Sequence, residues 1–271
     1  MTEFNENTAR SGARRGLRSV AAAGLVLALT GGIVGTLAVG QSFAAAPSHA
    51  AQVLNAAANA ADHAPAKSGQ FEYIDVLHLT STPTPVEHDQ RWLSVDGSQD
   101  GLEVGSGWWN NTTTIPANSY HPGDSLKDAP YDVIAKLPTD SAQLSKILAN
   151  DPYVLGDEKY NGTAPNVAVW GLMRLLVETA PPAQEAALFR VAAGLEGVGY
   201  SAGATDAAGR SGEAVGMEDP RLGFIQFIFD KGDHRFLGER VLGNPTGSTG
   251  VEFNDAVLTR GFVDSVGQLP H

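Results

Sequence analysis

Residues 222–229 read Leu-Gly-Phe-Ile-Gln-Phe-Ile-Phe, and their alternation decides the fold. In a strand, Phe224, Gln226 and Ile228 point to one face and Ile225, Phe227 and Phe229 to the other, so one polar residue interrupts two apolar faces. Such a strand needs cover on both sides, which makes it central. The turn sequences Asp206-Ala-Ala-Gly209 and Asp230-Lys-Gly-Asp233 separate it from β-like runs near 198–205, 210–217 and 234–242, and 255–265 adds another. Sequential strands joined by short turns predict an antiparallel meander.

Upstream of the meander the period changes. Val167, Trp170, Leu172, Met173, Leu175, Leu176 and Val177 predict an apolar helix stopped by Pro181-Pro182, and Pro182 opens another with Leu188, Val191, Ala192 and Leu195 on one face. Asp140 with Gln143 three residues later predicts a capped helix through about Asn150. Phe71–Leu77 and Arg91–Val95 read as strands, with Asp96-Gly97 as a hairpin turn, whereas 104–135 reads as irregular. Ala50–Asp62, with Val53, Leu54, Ala57, Ala58 and Ala61 at helical spacing, predicts a helix that precedes this domain. Helices in the middle and strands at both ends predict an α+β domain, in which a curved antiparallel sheet packs on central helices.

The N-terminal part predicts a location. Val20–Val39 is 20 consecutive uncharged residues, about 30 Å of helix and therefore the thickness of a bilayer core. Arg10, Arg14, Arg15 and Arg18 precede it, and no charged residue follows until Asp62, which puts the N terminus in the cytoplasm. The expected organisation is a cytoplasmic tail at 1–18, a transmembrane helix at 19–40, a juxtamembrane helix and linker at 41–69 and an extracytoplasmic α+β domain at 70–271. A cleaved signal peptide is the competing reading, with small-residue cleavage sequences at Ser42-Phe43-Ala44 and Ser48-His49-Ala50, but the apolar run is long for one. Either way the domain is exported.

Composition narrows the partners. The chain of 271 residues carries 18 Lys plus Arg against 30 Asp plus Glu, a net charge of −12, and no Cys. The first 18 residues contribute four Arg and two Glu, which leaves 14 basic against 28 acidic residues in the remainder. That surface excludes broad phosphate-backbone binding, so no nucleic-acid partner is expected, and a cysteine framework is excluded outright.

The segments GQFEY at 69–73, RWLSVDGSQDGL at 91–102, LPTD at 137–140, ATDAAGRSGEAV at 204–215, FIFDKGDHRFLGERVL at 227–242 and VDSVGQLP at 263–270 resemble, in this order, an uncharacterised actinobacterial family. Its members look like single-pass membrane proteins, often encoded beside extracytoplasmic-function sigma factors. The family tends to continue LPTD with Pro where Ser141 stands here. In architecture the domain resembles the half-barrels of periplasmic lipoprotein carriers and sigma-factor regulators. That likeness implies a concave apolar face for an acyl chain or a peptide, and it implies no catalytic residue.

The candidate chemistry is sparse. Gly199-Tyr200-Ser201-Ala202-Gly203 matches the nucleophile elbow of serine hydrolases, which requires a strand before the serine and a helix after it. Here the order is helix then strand, and only His234 and His271 follow, so a glycine-rich connection is the better reading and an exported hydrolase using Ser201 the alternative. Asp96-Gly-Ser98-Gln-Asp100-Gly101 starts like a calcium loop, but its twelfth position is Gly107, so it reads as a turn. The seven His have no metal-ligand spacing, and no metal or cofactor is expected. Trp108-Trp109, set among Gly, Ser, Asn and Thr, is the expected aromatic rim of a ligand or partner groove whose wall includes Phe224 and Phe227. The expected function is a non-catalytic, membrane-anchored module that binds a lipid, an acyl chain or an envelope protein, accessory to sigma-factor signalling. A structural cell-envelope protein is a further alternative.

Overall fold

The computed structural model describes residues 47–61, 66–80, 87–107, 110–156, 165–243 and 250–270. The chain divides into two units, Met1–Ala38 and Val39–His271, and every described residue lies in the second. The expected membrane segment at 20–39 and the pair Trp108 and Trp109 lie outside the described residues. Among those described, no helix is long and apolar enough to cross a membrane.

Among the described residues one nine-stranded antiparallel sheet organises the domain. The N-terminal strands are β1 (Phe71–Thr80), β2 (Glu87–Ser94), β3 (Gly101–Ser106) and β4 (Asn111–Ile115). The meander is β5 (Gly199–Thr205), β6 (Ser211–Asp219), β7 (Gly223–Phe229), β8 (Phe236–Leu242) and β9 (Val251–Val263). Their spatial order is β4-β3-β2-β1-β9-β8-β7-β6-β5, so the last strand of the chain pairs with the first and joins two sequential meanders. The α+β class and the central place of 223–229 follow the sequence pattern. The segment 104–135 does not: part of it forms the edge hairpin β3–β4, because Asn-Thr-Thr-Thr-Ile alternates without an apolar face that would announce a strand.

The helices are α1 (Pro47–Ala60), α2 (Tyr131–Ile134), α3 (Ser141–Ala149), α4 (Pro152–Gly156), α5 (Pro165–Val177) and α6 (Pro182–Ala193), with a 3-10 turn at Leu126–Asp128. Asp140 accepts from Gln143 N at 2.9 Å and starts α3 at Ser141, as the capping sequence predicts. Pro182 opens α6, and its turn closes at Gly194. α1 packs on α6 through Ala50, Val53, Leu54, Ala57, Ala58 and Ala61, all within the main core, so this helix is part of the domain's packing.

The helical layer lies on one face of the sheet, here called the helix side. Trp170 of α5 stacks on Phe227 with ring centroids 4.6 Å apart, and Phe189 of α6 meets Phe229 at 5.2 Å. On the back of the same strands the sheet closes over itself. Ala204, Ala214, Ile228 and Leu237 form a small cluster there, and the β5–β6 hairpin turns back onto β9. Arg210 fastens this curl by donating to Leu237 O at 3.0 Å and Val257 O at 2.9 Å. Gly238 permits the closeness: at φ 151° it would otherwise place a Cβ 2.3 Å from Asp255 O.

The N-terminal strands are covered differently. On the back, Phe71, Tyr73, Trp92 and Val263 cluster, and Trp92 Nε1 donates to Gln268 O at 2.7 Å in the C-terminal tail. On the helix side, α2 covers Ile74, Val76 and Leu93 through Tyr131. Beyond Val76 that side carries charge.

Candidate functional site

Period-2 alternation and register put a row of ionisable groups across the helix side. Glu239 on β8, Asp255 on β9, His78 on β1, Glu87 and Asp89 on β2, and Glu103 on β3 lie along it. His78 pairs with Asp255 in the β1–β9 ladder, and their side chains meet at 2.6 Å. Two residues one helical turn apart on α5 and its extension reach this row. Arg174 Nε donates to Glu239 at 3.0 and 3.2 Å, and Glu178 accepts from Arg91, whose Nε also lies 3.0 Å from Asp89. One helix end is thereby bolted to both halves of the sheet.

Past these bolts the helical cover stops among the described residues. A cleft of about 350 Å³ opens there, lined by His78, Glu87, Asp89, Glu103, Gly105 and Asn111. Its electrostatics are those of crowded carboxylates near a low-dielectric wall. Burial, with the charge of Asp89 beside it, raises the pKa of Glu103 against the pull of Arg91. Burial raises Asp255 to about 6, against the stabilising effect of His78 and Arg174. Burial on its own lowers His78, but the hydrogen bond and charge of Asp255 outweigh it and raise the imidazole overall. Both members of the pair therefore bind a proton more tightly than they would free in water.

A second charged centre is closed. Arg260 Nε donates to Glu72 at 2.6 Å, its Nη1 donates to Glu185 at 2.8 Å, and its Nη2 donates to Ala180 O. Glu72 is 1% exposed, and burial raises it to about 7 in spite of Arg260. This centre ties β1 and β9 to α6. A neighbouring cleft of about 190 Å³, lined by Arg210, Arg235 and Arg260 at the end of α1, is built from cations already paired with Asp206, Asp233 and the Glu72–Glu185 pair.

Of the residues expected from sequence, Phe224 and Phe227 do not line this cleft. Phe227 is fully buried under Trp170, while Phe224, half-buried, points to the opposite face of β7. Ser201 lies within β5, with its hydroxyl donating to Gly203 O at 3.1 Å. His234, at φ 59°, is hydrogen-bonded to Glu213 at 2.9 Å. Asp96 is a turn residue: it accepts from Ser68, Gly69 and Ser98, which hold its pKa well below the usual carboxylate range. Among the described residues no group of three or more His, Asp or Glu is arranged to hold a metal ion. What the sequence reading missed is the row itself. Glu87, Asp89 and Arg91 at alternate positions were the available signal, but the pairing of His78 with Asp255 requires the β1–β9 contact across most of the chain.

No protein-family model matches this chain, and no curated protein matches it. Among solved structures it is similar to the Pseudomonas aeruginosa MucA/MucB complex, at 12% identity and a TM-score of 0.31, over 82% of this chain and 59% of that one. It is also similar to MucB in complex with MucA(peri), at 9% identity and a TM-score of 0.31, over 81% and 57%. For MucB alone the values are 11% and 0.32, over 83% and 61%. The chain thus spans about three-fifths of the length of these structures.

Proposed function

We propose that this chain is a non-catalytic module, anchored in the membrane by 20–39 with its domain outside the cell membrane, that docks an envelope protein. The observation that carries the proposal is the boundary of the helical layer: the helix side of the C-terminal strands is filled, and the same side of β1–β4 beyond Val76 is, among the described residues, an open, charged cleft. A lined cleft of this polarity suits a protein surface better than an acyl chain. Apolar space for a lipid is taken up by Trp170 and Phe227 on one side of the sheet and by Ile228, Ala204, Ala214 and Leu237 on the other. The placement of Ser201 within a strand, its hydroxyl bonded to Gly203 O, supports a non-catalytic reading.

The resemblance to proteins encoded beside extracytoplasmic-function sigma factors supports a role in that signalling. Two measurements test the proposal in cells. A C-terminal alkaline phosphatase fusion is active if the domain lies outside, and an inactive fusion overturns the topology. A photoreactive residue at Glu87 or Ser106 yields a protein adduct of discrete mass, and one at the exposed turn residue Lys231 does not. Lipid adducts alone, or equal labelling from all three positions, overturn the docking face.

A further inference from the structure

The two edges of the sheet are finished differently. β5 carries a register shift between Ser201 and Ala204 and is folded back, with Asn254 Nδ2 donating to Thr205 O at 3.2 Å. β4 ends the sheet on the other side, with four of its five residues exposed, and among the described residues no strand lies beyond it. Natural edges refuse a further strand with Pro, Lys, bulges or inward charges, and Asn-Thr-Thr-Thr-Ile has none of these. Its unpaired backbone groups form a template for strand addition.

Side-chain chemistry selects what is added. In the β3–β4 ladder Glu103 lies opposite Thr113, and Asn111 lies opposite Gly105, on the side that carries the cleft. A residue added opposite Thr113 would stand two strand spacings from Glu103, about 9.6 Å, and the short threonine leaves the path between them open. Beside Glu103, Asp89 Oδ1 is buried without a hydrogen-bond partner, and Arg91, the nearest cation, is already engaged by Asp89 and Glu178. The local surplus is negative.

We propose that the outer edge of β4 accepts an extended segment of a protein partner as a tenth strand, and that this segment carries a lysine or arginine opposite Thr113, matched by Glu103 and Asp89. The proposal rests on the reading of this face as a protein dock, and it adds the mode and the charge of the partner. Neutralisation by the incoming cation relieves the repulsion between Glu103 and Asp89 that binding of a neutral strand would leave in place.

The test uses the full chain in detergent micelles and the probe acetyl-Thr-Val-Thr-Lys-Thr-Val-Thr-amide, beside versions with Glu for Lys and with alternate amides N-methylated. Hydrogen exchange at 111–115 is expected to slow with the Lys probe, which binds about tenfold more tightly than the Glu probe, while the N-methylated probe protects nothing. Glu103→Gln should bring the two probes within about twofold, and Glu103→Lys should reverse their order. Equal affinities, a preference that survives Glu103→Gln, or protection elsewhere in the sheet overturns the proposal. Protection of 111–115 that rises with the concentration of the chain alone overturns it in favour of pairing between two copies. If β4 gains no protection while photoadducts from Glu87 persist, strand addition fails and the docking face stands; loss of both removes the function proposed above.

Discussion

The two halves of one sheet follow the same alternation and reach opposite ends. In β6–β8 the apolar positions of both faces are filled: helices cover Ile225, Phe227 and Phe229, the sheet's own curl covers Ile228, and the helix-side Glu239 is held by Arg174. In β1–β4 the helix side begins apolar, at Ile74, Val76 and Leu93, and turns to His78, Glu87, Asp89 and Glu103 where α2 ends. The difference teaches that strand number and pairing build the scaffold, while the extent of the helical cover decides where a surface is left for another molecule. Carboxylates crowd where the helical cover ends among the described residues, and apolar bulk lies beneath that cover.

The largest effect should come from breaking the filled half. Phe227→Ala removes a ring that is stacked on Trp170 and fully buried, leaving a cavity the sheet and α5 are too constrained to close. The expected loss is about 4 kcal/mol in urea unfolding. Glu87→Gln in the open half should change the same midpoint by no more than about 0.5 kcal/mol. Similar costs at the two positions would erase the contrast.

Next in size is the clamp between the halves. Arg260→Met leaves the buried Glu72 and Glu185 facing each other without their shared cation. The expected loss is about 3 kcal/mol at pH 7.5, with part of it returned by adding Glu72→Gln, because the removal of one partner is what strands a buried charge. An Arg260→Met protein that unfolds at the same urea concentration as the parent would show that the clamp is not what joins α6 to β1 and β9.

The pH dependence separates the halves by a smaller margin. Glu72 is raised to about 7, Asp255 to about 6, and His78 is raised as well, so all three bind protons more tightly in the folded protein than in the unfolded chain. Stability from these groups is therefore fully present below their unfolded values and is lost as pH rises through 6 to 7 and beyond. Urea unfolding should show a decline on the order of 2 kcal/mol between pH 5 and pH 8. Below about pH 4 the sign reverses, because Asp219 and Asp230 are held below the ordinary carboxylate range by hydrogen bonds from Arg221, Gly232 and their neighbours. Asp255→Asn should flatten the part of the curve near pH 6. A stability that rises from pH 5 to pH 8 would invert the assignment.

How much of this was legible in the sequence follows the same division. Residues 222–229 announced their central place because two apolar faces admit no other position, and turn chemistry gave the strands on either side. Asp140 and Pro182 gave two helix starts for local reasons that hold in any fold. The open half left weaker traces. Asn111–Ile115 has no apolar face, so alternation could not reveal it, and Glu103 stood between a turn signal and the stretch read as irregular, in no strand of the sequence reading. Phe227 was assigned to a groove wall although the ring that covers it, Trp170, comes from a helix more than fifty residues earlier. The closeness of His78 and Asp255 depends on the pairing of the first strand with the last, which no local pattern encodes.

The smallest effect is also the one that opposes the others in sign. Glu103 is partly exposed, and its pKa is raised by burial and by Asp89, so its charged form is held in the folded protein at some cost. Glu103→Gln keeps the shape and removes that cost, which water screens in part at this exposure. The expected outcome is a gain of a few tenths of a kcal/mol at pH 7.5, about 1 °C in melting temperature, that fades toward pH 4.5 as the parent carboxylate protonates. Arg260→Met and Phe227→Ala weaken the fold, whereas this change strengthens it, and a residue whose removal stabilises is retained for something other than stability. A melting temperature that falls by several degrees would assign Glu103 to the scaffold, and would move the open half into the same class as the filled one.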